Sequence, residues 1–503
     1  MSSRFWGEEK EKDAHYDVYL KKVRYQGRPN DFALSSIDTK SSRLHALTQK
    51  CFASNSTDGD RLKWETVKVK VLKAASLEKW VRHLILQDDE CVRSSRFELF
   101  FETYRAVAKP YDVVQIILSE LTASFCDRNT NGNFTQFERN LKFWSDVLHR
   151  WLDHYPEDFR EHPKYPCLQR LIEFSRRRCH PLGCLVDKAI QLRDKFCKEL
   201  SFPESIRVWH LLSHRSSFLV KSEIWDNYAL VSSGNESSVG VFNGCHPDIC
   251  HMDPLYVAEQ LTCIDADLFR SLIPYQCQSC FWSYRNKKEG YSDRVHTVRA
   301  TVKQFNAVSQ RVMSSVVCNE SRKPAYRAKI ISCWIAVAQE LRLLKNFSSL
   351  KAVLSALQSE PVHRLRNVWS HVPGSNVQLF EELSQIFDER DNCLQVRRLL
   401  MKEGTSKTAY DVENCTKSRS RAKLDVRGTV PYLGTFLTDL AMVDTAHPDY
   451  ICGLINVDKR RREYEIIWQL KLIQHNAKFY RLQMDSKFLL WFNSMAAFDE
   501  KAW

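Results

Sequence analysis

Apolar residues along this chain recur mostly at three- and four-residue spacing, the period of one face of an α-helix. Leu341, Leu344, Phe347 and Leu350, continued by Val353, Leu354 and Leu357, form such a stripe. It predicts core-building helix and assigns no chemistry. Residues 15–26 depart from that rhythm by alternating, which predicts one short strand inside an N-terminal extension of residues 1–60. Asn55–Asp60 reads as a loop. From Trp64 to about Phe196 the pattern predicts helix, opening on Leu72, Leu77, Val81, Leu84 and Ile85 and closing near Leu168, Leu171, Ile172 and Phe174.

Between Pro203 and Asp253 the composition turns to Ser, Gly, Asn and His, including Val231–Ser238, which predicts a linker. Helical periodicity resumes at Pro254 and runs nearly to Trp503. The expected organisation is therefore an extension at 1–60, a helical domain at 61–200, a linker at 201–253 and a larger helical domain at 254–503. No internal repeat or low-complexity tract interrupts it.

Composition narrows this further. With 14 glycines and 15 prolines in 503 residues, the chain lacks the turn residues that an all-β protein needs, so a mainly α fold is expected. No leader-like apolar segment and no membrane-length apolar run occur, and the 17 cysteines are scattered. Those features predict a soluble, cytosolic chain with reduced, mostly buried thiols. The formal net charge of +13 comes from 74 basic and 61 acidic residues interleaved along the chain, a pattern that argues against a nucleic-acid partner.

Several motifs bear on chemistry. No phosphate-binding Gly-rich loop, dinucleotide fingerprint, His-Glu-x-x-His or Gly-x-Ser-x-Gly is present, so no cofactor is expected and weight moves toward a protein that acts by binding. Cys277-Gln-Ser-Cys280 has half a zinc site's spacing, with Cys245, His246, Cys250 and His251 upstream; a second clean pair is lacking, so core cysteines are expected and no metal. Asp127–Glu138 matches a calcium loop, with oxygen ligands at its first, third and fifth positions, glycine at the sixth and glutamate at the twelfth. An Asn- and Gly-rich connection between two helices explains the same letters. Lys459–Arg462 reads as the solvated start of an amphipathic helix carrying Tyr464, Ile467, Trp468 and Leu472.

The segment from Gly428 to Leu440 differs in kind. Leu433, Phe436, Leu437 and Leu440 share one helical face after Pro431, while Thr438 and Asp439 point elsewhere. A second helical stretch begins near Asp458. The pair predicts a helical hairpin that either projects from a helical body or packs as ordinary helices, and periodicity alone does not choose.

Longer strings carry a resemblance. Trp64–Phe125, with Val71-Leu-Lys-Ala-Ala-Ser-Leu-Glu-Lys79 and Phe100-Phe-Glu-Thr-Tyr-Arg105, resembles the Ras exchanger motif, the helical N-terminal module of Ras-family exchange factors. From Val257-Ala-Glu-Gln-Leu-Thr262 onward the chain resembles their Cdc25-homology catalytic domain. Val298–Asn306, Leu344–Leu350, Leu354–Ser359, His363–Leu365, Lys402–Lys407 and the Pro431 segment are similar to the Ral guanine nucleotide dissociation stimulator branch. The resemblance implies a guanine nucleotide exchange factor that uses a protruding helical hairpin to displace the switch regions of a small GTPase, without covalent chemistry. Its expected partner is a Ras-subfamily GTPase, Ral first, and the chain is expected to act as a monomer recruited to membranes through partners. A weakly catalytic GTPase-binding scaffold, or an exchange factor for Ras or Rap, are the alternatives.

Carried over by resemblance, Tyr432 is an aromatic anchor at the GTPase interface, and Thr438 and Asp439 face the switches. Gln358, His363, Arg364 and Asn306 fall on the docking surface. Ala441, Asp444 and Thr445 sit near the hairpin end, where Ras-directed members place a larger apolar residue and a glutamate. Members of this branch usually carry a C-terminal Ras-association domain; none lies within residues 1–503, so direct Ras binding through one is not expected of this chain.

Overall fold

The computed structural model describes residues 4–25, 63–85, 90–131, 134–161, 164–178, 183–200, 248–278, 282, 295–317, 323–388, 393–403 and 428–495. The expected loop at 55–60 and most of the expected linker, Val231–Ser238 included, lie outside the described residues. Where the chain is described it is mainly helical, as its periodicity predicts. It divides into two compact units that do not follow chain order: one combines Met1–Phe202 with Met442–Glu465, the other Pro203–Ala441 with Ile466–Trp503.

The first unit contains more sheet than the single short strand expected. Strands β1 (Arg4–Lys10), β2 (Ala14–Tyr25) and β3 (Lys63–Ala75) pair antiparallel, with Tyr19 opposite both Phe5 and Val69. The helical reading of the chain from Trp64 is therefore corrected up to Ala75. Val67, Val69 and Val71 alternate with Lys68 and Lys70, a two-residue period of β-branched residues that favours extended backbone. Helix begins one residue after β3, where Ser76 keeps an extended backbone and its hydroxyl accepts the Lys79 N–H at 3.2 Å.

Helices α1 (Leu77–Arg82), α2 (Glu90–Thr103), α3 (Pro110–Asn131), α4 (Phe134–His154), α5 (Pro166–Arg178) and α6 (Gly183–Leu200) complete the N-terminal part of this unit. Their core is aromatic: Phe100 meets Trp80 edge-on at 4.8 Å and stacks on Tyr104 at 5.3 Å, and Phe101 meets Trp151 at 4.9 Å. Among the described residues two carboxylates are buried beside these rings: Asp158 accepts from Tyr104 Oη at 2.8 Å, Trp151 Nε1 at 2.7 Å and the Arg105 guanidinium, and Glu102 accepts from Tyr155 Oη at 3.0 Å. Burial without those donors would cost several kcal/mol, on the order of the penalty for an unpaired buried charge.

The second unit contains α7 (Pro254–Ser271), α8 (His296–Val317), α9 (Pro324–Leu343), α10 (Phe347–Gln358), α11 (Glu360–His363), α12 (Arg366–Trp369), α13 (Gly374–Gln385) and α14 (Leu394–Glu403). Proline at the first position of α7 and α9 starts both without losing an intrahelical bond. Helix α9 is central and packs on α7, α10 and α13, with Ile330, Ile331, Trp334 and Leu341 buried. Helix α8 packs on α10 and on the short α11. Helices α15 (Leu433–Ala446) and α16 (Val457–Ala477) form the expected hairpin, and α17 (Ser486–Ser494) follows.

Candidate functional site

The base of the hairpin is fixed before α15 begins. Val430 bridges Asn346 in parallel, donating its N–H to Lys345 O at 3.1 Å and accepting the Phe347 N–H at 2.8 Å. That pairing requires the chain to turn sharply after α9, which Lys345 does with a φ of 58°. Asn346 is fully buried beneath it: its Oδ1 accepts the Ser349 N–H at 3.1 Å, and its Nδ2 donates to Asp265 Oδ2 at 2.9 Å and Thr262 Oγ1 at 3.2 Å. Ser349 Oγ also donates to Asp265, at 2.5 Å. Burial pushes the Asp265 carboxyl up to about 6, with the Ser349 and Asn346 hydrogen bonds acting in the opposite sense.

Tyr432 enters next. Its ring tilts against Phe305 at 5.1 Å and lies across Gly434, where an added Cβ would stand 2.3 Å from the Tyr432 ring. Glycine here makes room for the tyrosine. Because Asn306 follows Phe305 on α8 and is exposed, the two sequence-expected residues are brought to one region through the Phe305–Tyr432 contact. Gln358 ends α10, and His363 and Arg364 end α11; all three are exposed on elements that α8 contacts.

Along α15, Leu433, Phe436, Leu437 and Leu440 are buried as their spacing predicts. Thr438 and Thr445 are exposed, and Ala441 is half-buried. Asp439 is not an open carboxylate: Arg397 of α14 donates to it from Nη1 at 2.5 Å and Nη2 at 2.8 Å. Sequence reasoning missed that pair, because 42 residues separate its members and neither breaks a local pattern. It also missed Met442. This side chain is 57% exposed and stands four residues after Thr438 and three before Thr445, extending their outward stripe. Its signal was an apolar residue out of phase with the buried face.

The turn of the hairpin is a small β-hairpin, which the helical pattern does not announce. Strands β4 (Tyr450–Ile451) and β5 (Leu454–Asn456) are joined by Cys452 and Gly453, both at positive φ, 51° and 80°, as a two-residue primed turn requires. Within the first unit β5 pairs with β3 through Ala74–Asn456 and Ala75–Ile455, giving the sheet order β1-β2-β3-β5-β4. Arg461 Nη2 donates to Leu72 O at 3.0 Å and Tyr464 Oη to Glu98 at 2.8 Å, adding side-chain ties to that pairing.

Lys459–Arg462 is accordingly not a solvated helix start, and that expectation is corrected. Lys459 and Arg460 are 2% and 0% exposed, and Arg462 alone of the four is open to water. Lys459 Nζ bridges Asp444 Oδ1 and Asp449 Oδ1, each at 2.8 Å, so Asp444 is also engaged within the chain. Arg460 pairs with Asp449 and stands 2.9 Å from Glu463 Oε2 without hydrogen-bond alignment. Burial therefore dominates at Glu463 and pushes its carboxyl up to about 7, against the pull of Arg460 and Lys459. The basic letters are internal counter-ions for the acids of the turn.

The two metal readings end differently. Asp127–Asn131 lies in α3 and Phe134–Glu138 in α4, so helix replaces loop at ten of the twelve positions of the calcium pattern. Gly132 and Asn133 lie outside the described residues. Cys277 is buried and its thiol is pushed up to about 12 by desolvation, the behaviour of a core cysteine. Cys245, His246 and Cys280 lie outside the described residues, and among the described ones no cluster of three metal-ligating side chains occurs.

Residues 256–461 match the RasGEF domain. Over 99% of its length the chain is 38% identical to Ral guanine nucleotide dissociation stimulator-like 1 of Homo sapiens, covering 62% of that protein. It is 34% identical to Ral guanine nucleotide dissociation stimulator-like 3 of Mus musculus, over 95% of the chain and 64% of the relative. With the Ral-GDS-related protein of Homo sapiens the identity is 34%, over 51% of the chain and 52% of the relative. The chain thus spans about three fifths of the length of the relatives that match it throughout. Among the described residues no helix is long and apolar enough to cross a membrane.

Proposed function

The chain belongs to the Ral guanine nucleotide dissociation stimulator-like family, and from that premise we propose that it promotes GDP release and GTP loading on a Ras-family GTPase, with Ral as its client. The observation that carries this reading is the outward Thr438–Met442–Thr445 stripe on α15, which lies inside the RasGEF match and follows the hydrogen-bonded Val430–Asn346 bridge. A GTPase grips its nucleotide through a phosphate cradle, Mg²⁺ and switch segments ordered around both. A fixed hairpin that occupies the place of one switch disfavours that order without any acid, base or nucleophile of its own.

Exchange factor and nucleotide then bind the GTPase with negative coupling, and each weakens the other by the same factor. The hairpin must be stiff for this to work, since a flexible wedge would yield in place of the switch. Ordering it in advance removes that cost from the encounter. On this reading Tyr432, Asn306, Gln358, His363 and Arg364 dock the GTPase, while Thr438, Ala441, Met442 and Thr445 present the displacing edge. Asp439 and Asp444, held by Arg397 and Lys459, set the shape of that edge from within the chain.

The test is release of a fluorescent guanine nucleotide from Ral, Ras and Rap with catalytic amounts of the chain. Acceleration on Ral supports the reading, acceleration confined to Ras or Rap redirects it, and none on any member refutes it. The half-buried, small Ala441 at the hairpin edge motivates a second reading, a GTPase-binding scaffold. Stable Ral binding with an unchanged nucleotide off-rate would select it.

A further inference from the structure

The N-terminal sheet has two chemically different ends. Near the turn into α1 its acids are matched by lysines: Lys70 pairs with Glu9, Lys73 with Glu8 and Asp17, and Lys79 with Glu11. Toward the other end the described charged side chains are Arg4, Lys21, Lys22 and Lys68, beside Phe5 and Trp6; Glu65 of β3, in register with Val23, is an acid at that end. Phe5 and Trp6 are 53% and 63% exposed on β1, the outermost strand of the sheet. Single exposed aromatics are ordinary, but two in succession on a sheet edge ringed by cations are not.

Geometry makes the pair a wedge. Phe5 meets the ring of Tyr19 edge-on at 5.7 Å, whereas Trp6 lies under the Lys68 ammonium at 5.6 Å, and Lys68 pairs in register with Leu20. Tyr19 and Leu20 are consecutive strand residues with opposite faces, so the two aromatic rings flank the sheet end from both sides. A register irregularity between Phe5 and Gly7 accommodates the change of face.

We propose that this sheet end docks on an anionic lipid bilayer, with Phe5 and Trp6 entering the headgroup region and Arg4, Lys21, Lys22 and Lys68 contacting lipid phosphates and carboxylates. Amphipathic rings flanked by Lys and Arg suit a membrane–water interface, where each basic side chain adds attraction to anionic lipid. The whole chain's charge of +13 favours the same surface at longer range. Single-stranded nucleic acid also takes aromatic and basic groups, but it stacks along a continuous platform, and here the two rings face away from each other. The inference is independent of the exchange reading.

Sedimentation with extruded vesicles tests it, using the full chain with phosphatidylcholine alone and with about 30 mol% phosphatidylserine. The chain is expected to pellet with the anionic vesicles, to lose that binding as salt rises, and to stay in the supernatant with phosphatidylcholine. Phe5→Ala/Trp6→Ala and, separately, Lys21→Glu/Lys22→Glu should each weaken vesicle binding by at least about ten-fold, the second pair guarding against any unfolding of β1 in the first. Exchange on soluble, unlipidated GTPase should be unchanged in both variants, so failure of either reading shows separately. Equal pelleting of wild type and both variants, or tighter binding to a single-stranded oligonucleotide than to anionic vesicles, overturns the proposal.

Discussion

Arg397 grips Asp439 with both terminal nitrogens of its guanidinium, at 2.5 and 2.8 Å, and so ties the middle of α15 to α14. Both partners keep some solvent contact, with side chains 26% and 17% exposed, so the pair is worth on the order of 1 kcal/mol in stability after screening. Its larger effect should be on the angle of the hairpin. Arg397→Ala, Asp439→Ala and the double variant should each slow exchange several-fold, with the double no worse than the more damaging single. If Asp439 instead works by touching the GTPase, Asp439→Ala alone will be slow and Arg397→Ala near wild type.

Gly434→Ala separates two roles of one residue. Alanine is favoured over glycine by about 1 kcal/mol inside a helix. If the Tyr432 ring truly fills the space above Gly434, however, the new methyl must push it off Phe305. We expect a lowered melting temperature and a loss of exchange approaching that of Tyr432→Ala. A raised melting temperature with full activity would remove Tyr432 from its assigned place.

Met442 is 57% exposed and lies outside the hydrophobic core. Met442→Glu should therefore leave thermal stability within about 0.5 kcal/mol of wild type while lowering the exchange rate about ten-fold or more. Met442→Leu should retain most activity. Equal activity in all three proteins would show that the outward stripe ends before this residue.

Asp265 predicts a pH dependence. Burial pushes its folded carboxyl up to about 6, above the ordinary carboxylate range, so the folded state holds the proton more tightly than the unfolded chain. Stability should thus fall as pH rises from about 4 to about 6 and then level, by a few kcal/mol at most. Asp265→Asn keeps an acceptor for Asn346 and Ser349 and should flatten that slope, as measured by urea unfolding across the window. An unchanged slope in the variant would assign it to another group.

Much of the helical frame was legible because its signal is local. The stripe from Leu341 to Leu357 and the buried face of α15 follow from spacing alone. The sheet was less legible: β3 owes its strand to pairing with β2 across a long intervening segment, and its Leu72 also fits the helical run that follows Ser76. The β4–β5 turn hides behind Cys452, an uncommon residue at positive φ. Among the proposed site residues, Thr438, Gln358, His363 and Arg364 are exposed. The internal partners of Asp439 and Asp444 and the burial of Lys459 and Arg460 depend on tertiary neighbours, which one sequence without its fold does not display.

The central claim is that the outward edge of this hairpin ejects nucleotide from a Ras-family GTPase. Its most direct test is the off-rate of fluorescent GDP from Ral, Ras and Rap, measured with substoichiometric wild-type chain and with Met442→Glu in parallel. The account predicts multiple-turnover acceleration on Ral by the wild type and its loss in the variant. No acceleration on any of the three GTPases would contradict it.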